Sequence, residues 1–217
     1  MPMKYKFYYY LLFLTLLGCS GSKSVNNNND RDWIPIFDGR TLNWWRASEN
    51  PETFKVENGA IVVAGPRAHL FYDGPYKSHN FRNFEFKAQV MTTPGSNAGI
   101  YIHTQFQENG WPAKGYEIQV NNSHSDWRRT GSLYAIDDVR DKLVNDNEWF
   151  TQHIIVQDKR IIIKVNDKTV VDYTEPDNPQ RPQDMAGRIL SGGTVALQGH
   201  DPESKVYFKD IMIRSLD

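Results

Sequence analysis

In the stretch Gly115-Tyr116-Glu117-Ile118-Gln119-Val120-Asn121-Asn122, apolar and polar side chains alternate from Tyr116 to Asn121. Because successive side chains of a β-strand point to opposite faces, its apolar residues can fill a core while its polar residues line the other face. That polar face carries one carboxylate and two amides, from Glu117, Gln119 and Asn121. Solvated strand faces favour Lys, Glu and Thr, so this composition predicts the floor of a binding cleft. A solvated face with nothing bound is the alternative.

Segments with strand character recur from Trp33 to the end of the chain, and none shows the period of an amphipathic helix. Asn58-Gly59 and Asn166-Asp167 each separate two short apolar runs, as expected of hairpins. We therefore predict one all-β domain over residues 33–217, a sandwich or jelly roll of antiparallel sheets, with a loop at 64–80. The predicted strands are 33–37, 54–57, 60–63, 84–91, 99–106, 115–121, 149–158, 160–165, 168–173, 194–200 and 205–215.

The N-terminus has the pattern of a bacterial lipoprotein signal. A short basic region precedes the apolar run Phe7–Leu17, which has the length of a signal h-region and is too short to span a membrane. The run ends in Leu16-Leu17-Gly18-Cys19, which resembles a lipobox, so residues 1–18 are predicted to be removed and Cys19 to be lipidated. Residues 19–32 are polar and would tether the domain to the lipid, which places it in the cell envelope, at the outer membrane. An ordinary secretory signal is the alternative.

Charge and composition give no support for a nucleic-acid-binding protein, a disulfide-rich domain or a metalloprotein. The formal net charge of −1 leaves no basic footprint for nucleic acid. Cys19 is the only cysteine, so disulfides play no part in the domain. The histidines are too scattered to form a metal-binding motif, and we predict neither a metal nor a cofactor. A metal held by carboxylate or His ligands from separate loops is the alternative. A domain of this size buries roughly 70% of its unfolded surface and needs no such support.

Four predicted strands carry unusual polar residues opposite their core faces. If these strands are neighbours, they form one face lined by amides, imidazoles, a tyrosine and a glutamate. Such side chains bind sugars, because hydroxyl groups need donors and acceptors together and pyranose rings stack on aromatic rings. The residues of this predicted face are Lys87 and Gln89; Tyr101, His103 and Gln105; Glu117, Gln119 and Asn121; and Gln198 and His200.

The same face restricts the chemistry. Ordinary glycosidases use two carboxylates, but Glu117 stands beside amides, which cannot ionise. A single base acting next to a ketone fits better, since the carbonyl takes up the charge and nearby donors hold the enolate. A conventional glycosidase would require a second carboxylate about 5–10 Å from Glu117. The candidates for it are Asp126, Asp137, Asp138 and Asp201.

Several motifs occur together in a characteristic order. They are Ile36-Phe37-Asp38-Gly39, Phe81–Phe86, Asn97–Tyr101, Gly115–Gln119, Thr130–Tyr134, Leu197-Gln198 with His200, and Val206–Ile213. In this order and spacing, over about residues 33 to 216, the chain resembles the 3-keto-disaccharide hydrolase domain family, also called 3-keto-glycoside hydrolase/lyase.

The resemblance implies a concanavalin A-like β-jelly roll and a glycoside substrate that a separate sugar 3-dehydrogenase has oxidised at C3. The ketone acidifies the C2 hydrogen, loss of that proton expels the aglycone from C1, and addition of water gives net hydrolysis. The chain departs from the family pattern at two places. Asn121-Asn122 stand where many members have Asp, and Asp201 follows His200 where many have Gly.

Glu117 is the first candidate for the general base, or for orienting the base. His103 and His200 are alternative bases or ketone polarisers, because imidazoles titrate near working pH. A cross-strand ion pair of Glu117 with Lys87 or Arg128 is the structural alternative. The candidate substrate-binding residues are Gln119, Asn121, Tyr134, Gln198, Lys87, Arg128 and Trp111.

The rival function is that of a carbohydrate-binding surface lipoprotein without catalytic activity. Such a module needs only amides and aromatic rings. An enzyme also needs a titratable side chain within hydrogen-bonding reach of a second one in the cleft.

Overall fold

The computed structural model describes residues 1–3 and 32–217. Cys19 and nearly all of the predicted signal sequence and tether therefore lie outside the described residues. In chain order the strands are β1 (Ile34–Pro35), β2 (Trp45–Ala47), β3 (Phe54–Glu57), β4 (Ala60–Ala64), β5 (Ala68–Tyr72), β6 (Phe84–Thr92), β7 (Ala98–Thr104), β8 (Tyr116–Val120), β9 (Phe150–Gln157), β10 (Arg160–Val165), β11 (Lys168–Thr174), β12 (Thr194–Gly199) and β13 (Lys205–Ser215).

These strands form two antiparallel sheets. The first has the order β11-β10-β9-β6-β13-β4-β3, with β1 paired to β13, and the second has the order β2-β5-β12-β7-β8. One apolar core lies between them and draws side chains from both sheets. The predicted all-β sandwich of antiparallel sheets is confirmed.

Helical structure in the described part of the chain is limited to three short 3-10 segments, Pro51–Thr53, Tyr76–His79 and Gln183–Met185. None of the helices found there is long and apolar enough to cross a membrane.

Strand alternation determines what enters the core. The apolar residues of β8, Tyr116, Ile118 and Val120, are fully buried between the sheets, as predicted. Alternate residues of β6, including Phe84 and Phe86, are buried in the same core from the other side. Burial of each large apolar side chain contributes about 1.5–3 kcal/mol, which is why the alternation decides the orientation of both strands.

The sequence prediction differs from the structure at two places that affect the cleft. Residues 64–80, expected to be a loop, contain β5, which pairs with both β2 and β12. The glycines and prolines on either side of this five-residue strand hide it in the sequence. The expected neighbour β6 lies in the first sheet between β9 and β13, so its polar face does not adjoin those of β7 and β8.

Candidate active site

A cleft of about 350 Å³ opens on the outer face of the second sheet, over β7, β8 and β12. Tyr101, Glu117, Gln119 and Gln198 form its floor, because alternation turns them away from the core. Loops after the strands supply its walls. The remaining lining residues are Asn97, Trp111, Pro112, Ala113, Asp126, Tyr134, Asp184, Met185, Arg188 and His200.

Gly99 lies on β7, between the strand that carries Glu117 (β8) and the strand that carries Gln198 (β12). In the sheet register it stands opposite Gln119 of β8 and Gln198 of β12. A Cβ atom at this position would lie 3.0 Å from Oε1 of Glu117 and 3.4 Å from Nε2 of Gln198. The glycine therefore leaves the space in which side chains of two non-adjacent strands meet.

Glu117 is held by three donors. Nε2 of Gln198 donates to Oε1 at 2.8 Å, the Tyr101 hydroxyl donates to Oε2 at 2.9 Å, and Nη2 of Arg188 lies 3.4 Å from Oε2. Burial and the adjacent Glu117 carboxylate raise the pKa of Tyr101, so this phenol remains a donor. Arg188 is the ion-pair partner of Glu117, and neither Lys87 nor Arg128 takes that place.

His200 lies at the end of β12 and forms a pair with Asp201. Its Nδ1–H donates to Oδ2 of Asp201 at 2.6 Å, which leaves Nε2 as the acceptor nitrogen. Burial alone would raise the pKa of Asp201, but the hydrogen bonds from His200 and Ser204 lower it. The imidazole packs against the rings of Trp111 and His124, at centroid distances of 5.4 and 5.6 Å. His200 is thus an oriented base in the cleft wall.

His103 was predicted to share the face of Tyr101, and that prediction is wrong. Its φ of 52° interrupts the alternation near the end of β7, where the register with β12 also shifts. The ring packs on Phe84 of the core at 5.7 Å. Nε2–H donates to the Arg82 carbonyl at 2.9 Å and Nδ1 accepts from the Ser191 amide at 3.3 Å. Burial lowers the pKa of His103 to about 4, and both nitrogens are engaged away from the cleft.

Three predicted substrate-binding residues do not line the cleft. Lys87 belongs to β6 in the other sheet, where its ammonium lies 4.7 Å from the centroid of the Trp33 ring. Asn121 is fully buried, and its amide donates to the carbonyls of Asp126 and Arg128. It positions the loop that carries Asp126, while Arg128 is bound to Asp138 at 3.1 Å. The remaining four, Gln119, Tyr134, Gln198 and Trp111, line the cleft.

The cleft contains buried polar atoms without a partner in the described part of the protein. These are Oε1 of Gln119, Oε1 of Gln198 and Nη1 of Arg188. Buried polar groups are normally paired, so two acceptors and one cationic donor in one cleft indicate a polar ligand. Trp111 is 44% exposed at the cleft wall, which leaves a ring available for stacking.

Sequence reasoning missed Arg188 and Asp184. Both come from the proline-rich segment between β11 and β12, which has neither periodicity nor a motif to mark it. Tertiary packing alone brings this segment over β8. Asp126, named in the sequence only as a possible second carboxylate, also lines the cleft.

Three side chains beside the cleft are close enough to hold a metal ion, namely His124, His200 and Asp201, whose ligand atoms lie within 4.8 Å of one another. These side chains already have protein partners. Nδ1 of His124 accepts from the Asp126 amide at 3.0 Å, and His200 is bound to Asp201. The hydrogen bond to Asp201 and the packing of the His124 ring fix the orientation of His200.

Comparison with known proteins identifies the family of the chain and finds solved structures of the same fold. The sequence profile of a family described as 3-keto-alpha-glucoside-1,2-lyase-like domain matches residues 32–214. A 3-keto-disaccharide hydrolase of Bacteroides thetaiotaomicron is 27% identical, over 85% of this chain and 79% of that protein.

Two solved structures are similar in fold. The crystal structure of a presumed glycosyl hydrolase from Parabacteroides distasonis has a TM-score of 0.70 and 23% identity, and covers 85% of this chain and 94% of that one. A carbohydrate-binding module of Bacillus subtilis has a TM-score of 0.51 and 12% identity, over 86% and 98% of the two chains. The expected concanavalin A-like jelly roll is confirmed.

Proposed function

Because this chain belongs to the family of 3-keto-α-glucoside-1,2-lyase-like domains, we propose that it cleaves 3-keto-glycosides in the cleft over β7, β8 and β12. A base removes the C2 proton, and the electron pair of that C–H bond passes to the C3 carbonyl as an enolate. When the enolate collapses, the C1–O bond breaks and the aglycone leaves with a proton. Water then adds to C1 of the resulting unsaturated ketone and gives the free 3-keto sugar.

The pairing of His200 with Asp201 at the cleft wall is the observation that carries this proposal. The carboxylate fixes the proton on Nδ1 and stabilises the imidazolium that forms when Nε2 accepts the C2 proton. This pair also favours an enzyme over a carbohydrate-binding module, because a module needs no oriented base.

Glu117 and Arg188 provide the second part of the site. Arg188 donates toward Glu117 with Nη2, while its buried Nη1 has no partner among the described residues. An unpaired guanidinium donor on a residue that lines the cleft is suited to stabilise the negative charge of an enolate oxygen. In this arrangement Glu117 positions Arg188 and Gln198, and His200 is the base.

The amides and the exposed indole account for binding of the sugar. Gln119 and Gln198 each have a buried unpaired Oε1, which can accept from substrate hydroxyls. Trp111 offers an apolar surface on the cleft wall for the face of a pyranose ring.

A conventional glycosidase is the second candidate function, because Asp126 and Asp184 line the cleft together with Glu117. In that case two carboxylates would perform the chemistry on an unoxidised glycoside. A dehydrogenase that oxidises C3 would then be unnecessary, whereas the elimination requires one to supply the ketone.

Aglycone release from a 3-keto-glucoside and from its unoxidised parent separates these candidates. The elimination predicts release from the ketone only, and a lowering of turnover by roughly 10²–10⁴-fold in His200→Gln. The matched control is His153→Gln, since His153 forms a similar pair with Glu85 at 2.7 Å on the other sheet. Equal release from the parent sugar would overturn the elimination, and release from neither would leave the binding module.

The proposal extends to the place of the enzyme in the cell. Lipidation at Cys19 would hold the domain in the cell envelope, at the outer membrane, where it meets glycosides oxidised by a sugar 3-dehydrogenase. Labelling of the full chain with a radioactive fatty acid tests this. Label should be incorporated in the intact protein and be absent from Cys19→Ala.

A further inference from the structure

A second cavity, of about 400 Å³, opens on the outer face of the same sheet as the cleft. It lies at the other end of the strands, over the end of β7 and the start of β12. Thr194 of β12 lines the cavity and Gln198 of the same strand lines the cleft, which separates them by about 13 Å at about 3.3 Å per residue. Phe71, Tyr101 and Phe106 pack together between the two sites.

Aromatic rings form one side of this cavity. Phe71 and Phe106 meet edge to face at a centroid distance of 5.4 Å, with Phe71 buried and Phe106 partly exposed. Asn80 and Gln105 bring amides to the opposite rim. Rings next to amides suit a ligand with apolar faces and a rim of hydroxyl groups, as a sugar has.

The Thr104 side chain points to a ligand independently of the rings. Thr104 is only 1% exposed and lines the cavity, yet its hydroxyl has no hydrogen-bond partner among the described residues. A buried hydroxyl without a partner is unfavourable, and a ligand hydroxyl in the cavity would supply the missing hydrogen bond.

The charge at the rim specifies the ligand further. The Arg46 guanidinium lies 3.5 Å from the centroid of the Phe106 ring, and Lys114 donates to Oε1 of Gln105 at 3.3 Å. Neither cation has a carboxylate partner within the described part of the chain. The one acidic residue of the lining, Asp73, lies 3.6 Å from His79. The lining therefore carries two cations, Arg46 and Lys114, against the single carboxylate of Asp73.

We propose that this cavity is a second carbohydrate-binding site, which takes a sugar ring bearing an acidic group, a carboxylate or a sulfate ester. The ring packs against Phe106, which is partly exposed, a ring hydroxyl bonds to Thr104, and the acidic group lies between Arg46 and Lys114. This site is distinct from the cleft and does not depend on the elimination.

Calorimetric titration of the full chain with three trisaccharides of matched linkage tests the site: a uronate form, a 6-sulfated form and a neutral form. The acidic probes should bind more tightly than the neutral one by roughly tenfold or more, and added salt should reduce the difference. Binding of only one acidic probe identifies the acidic group. The same titration in His200→Gln should give unchanged affinities, which keeps this result separate from the fate of the elimination.

Variants place the binding on the molecule. Arg46→Gln combined with Lys114→Gln should remove the preference for the acidic probes. Thr104→Val should weaken binding of every probe, because valine keeps the shape of the threonine side chain but lacks its hydroxyl group. The matched control is Lys209→Gln, because Lys209 lies 4.2 Å from the Trp149 ring centroid on the other sheet. Equal binding of neutral and acidic probes, undiminished binding in the double variant, or no binding at millimolar concentration would each overturn the proposal.

Discussion

Glu117 of β8 and Gln198 of β12 are joined by a hydrogen bond of 2.8 Å, although β7 lies between their strands. The bond crosses above Gly99, the residue of β7 that stands opposite Gln198. It fixes Gln198 with its amide nitrogen on the carboxylate and its Oε1 unpaired. The floor of the cleft is therefore one connected unit, in which a change at Gly99 must reach both side chains.

Gly99→Ala should lower turnover of a 3-keto-glucoside by up to roughly 10²-fold, the cost of a misplacement of about 1 Å, because it shifts the carboxylate that positions Arg188 and Gln198. The new Cβ atom would lie 3.0 Å from Oε1 of Glu117, so the carboxylate must move. Steady-state kinetics and thermal unfolding measure the two consequences. Destabilisation should stay within about 1–3 kcal/mol, the usual cost of overpacking.

A double-mutant cycle with Glu117→Gln separates this effect from general damage. If Gly99→Ala acts through the Glu117 carboxylate, the losses of turnover in the two single variants should not add. The reason is that Glu117→Gln removes the carboxylate that the alanine displaces. Full additivity would show that the alanine acts elsewhere.

Glu117→Gln should itself lower turnover by roughly 10²–10³-fold and leave the fold intact, because it loosens the donor that stabilises the enolate. The amide can keep the hydrogen bond from Tyr101, but it no longer holds the Arg188 guanidinium by charge. Glu85→Gln is the control, because Glu85 is a buried carboxylate bound to Arg214 on the other sheet. Unchanged turnover in Glu117→Gln would remove this residue from the mechanism.

Asp201→Asn should lower kcat by roughly 10²-fold with little change in KM. The asparagine oxygen can still accept from the Ser204 amide, which preserves the turn, but the variant lacks the charge that stabilises protonated His200. Kinetics with the ketone substrate give the split between kcat and KM. A rise in KM alone would mean that Asp201 supports binding instead of the base.

The alternation of β8 allowed the sheet face of Glu117 and Gln119 to be predicted, because apolar burial determines which face a regular strand turns inward. The same reasoning failed at His103, where one residue with positive φ reverses the expected side, and nothing in the sequence marks that bulge. It also failed for Lys87, since the polar pattern of a strand does not identify its neighbours. Arg188 could not be predicted, because a loop without periodicity brings it to Glu117.

His69 predicts how the stability of the fold depends on pH. It is fully buried on β5, and neither ring nitrogen has a partner among the described residues. Burial lowers the pKa of His69 from 6.5 to about 3, so the folded protein keeps this ring neutral where the unfolded chain takes up a proton. Stability is therefore lost as the pH falls from 6.5 toward 3, by about 2 kcal/mol from this group at pH 5.

Urea unfolding at pH 7.5 and pH 5.0, in the parent protein and in His69→Leu, measures that contribution. The leucine variant should lose about 2 kcal/mol less over this interval, because it removes the only group that differs between the two proteins. Carboxylates and the other histidines titrate in both and cancel in the comparison. An equal loss in the two proteins would show that His69 takes up a proton in the folded state, which requires that water or a charged partner reach its ring beneath Trp111, whose centroid lies 5.6 Å away.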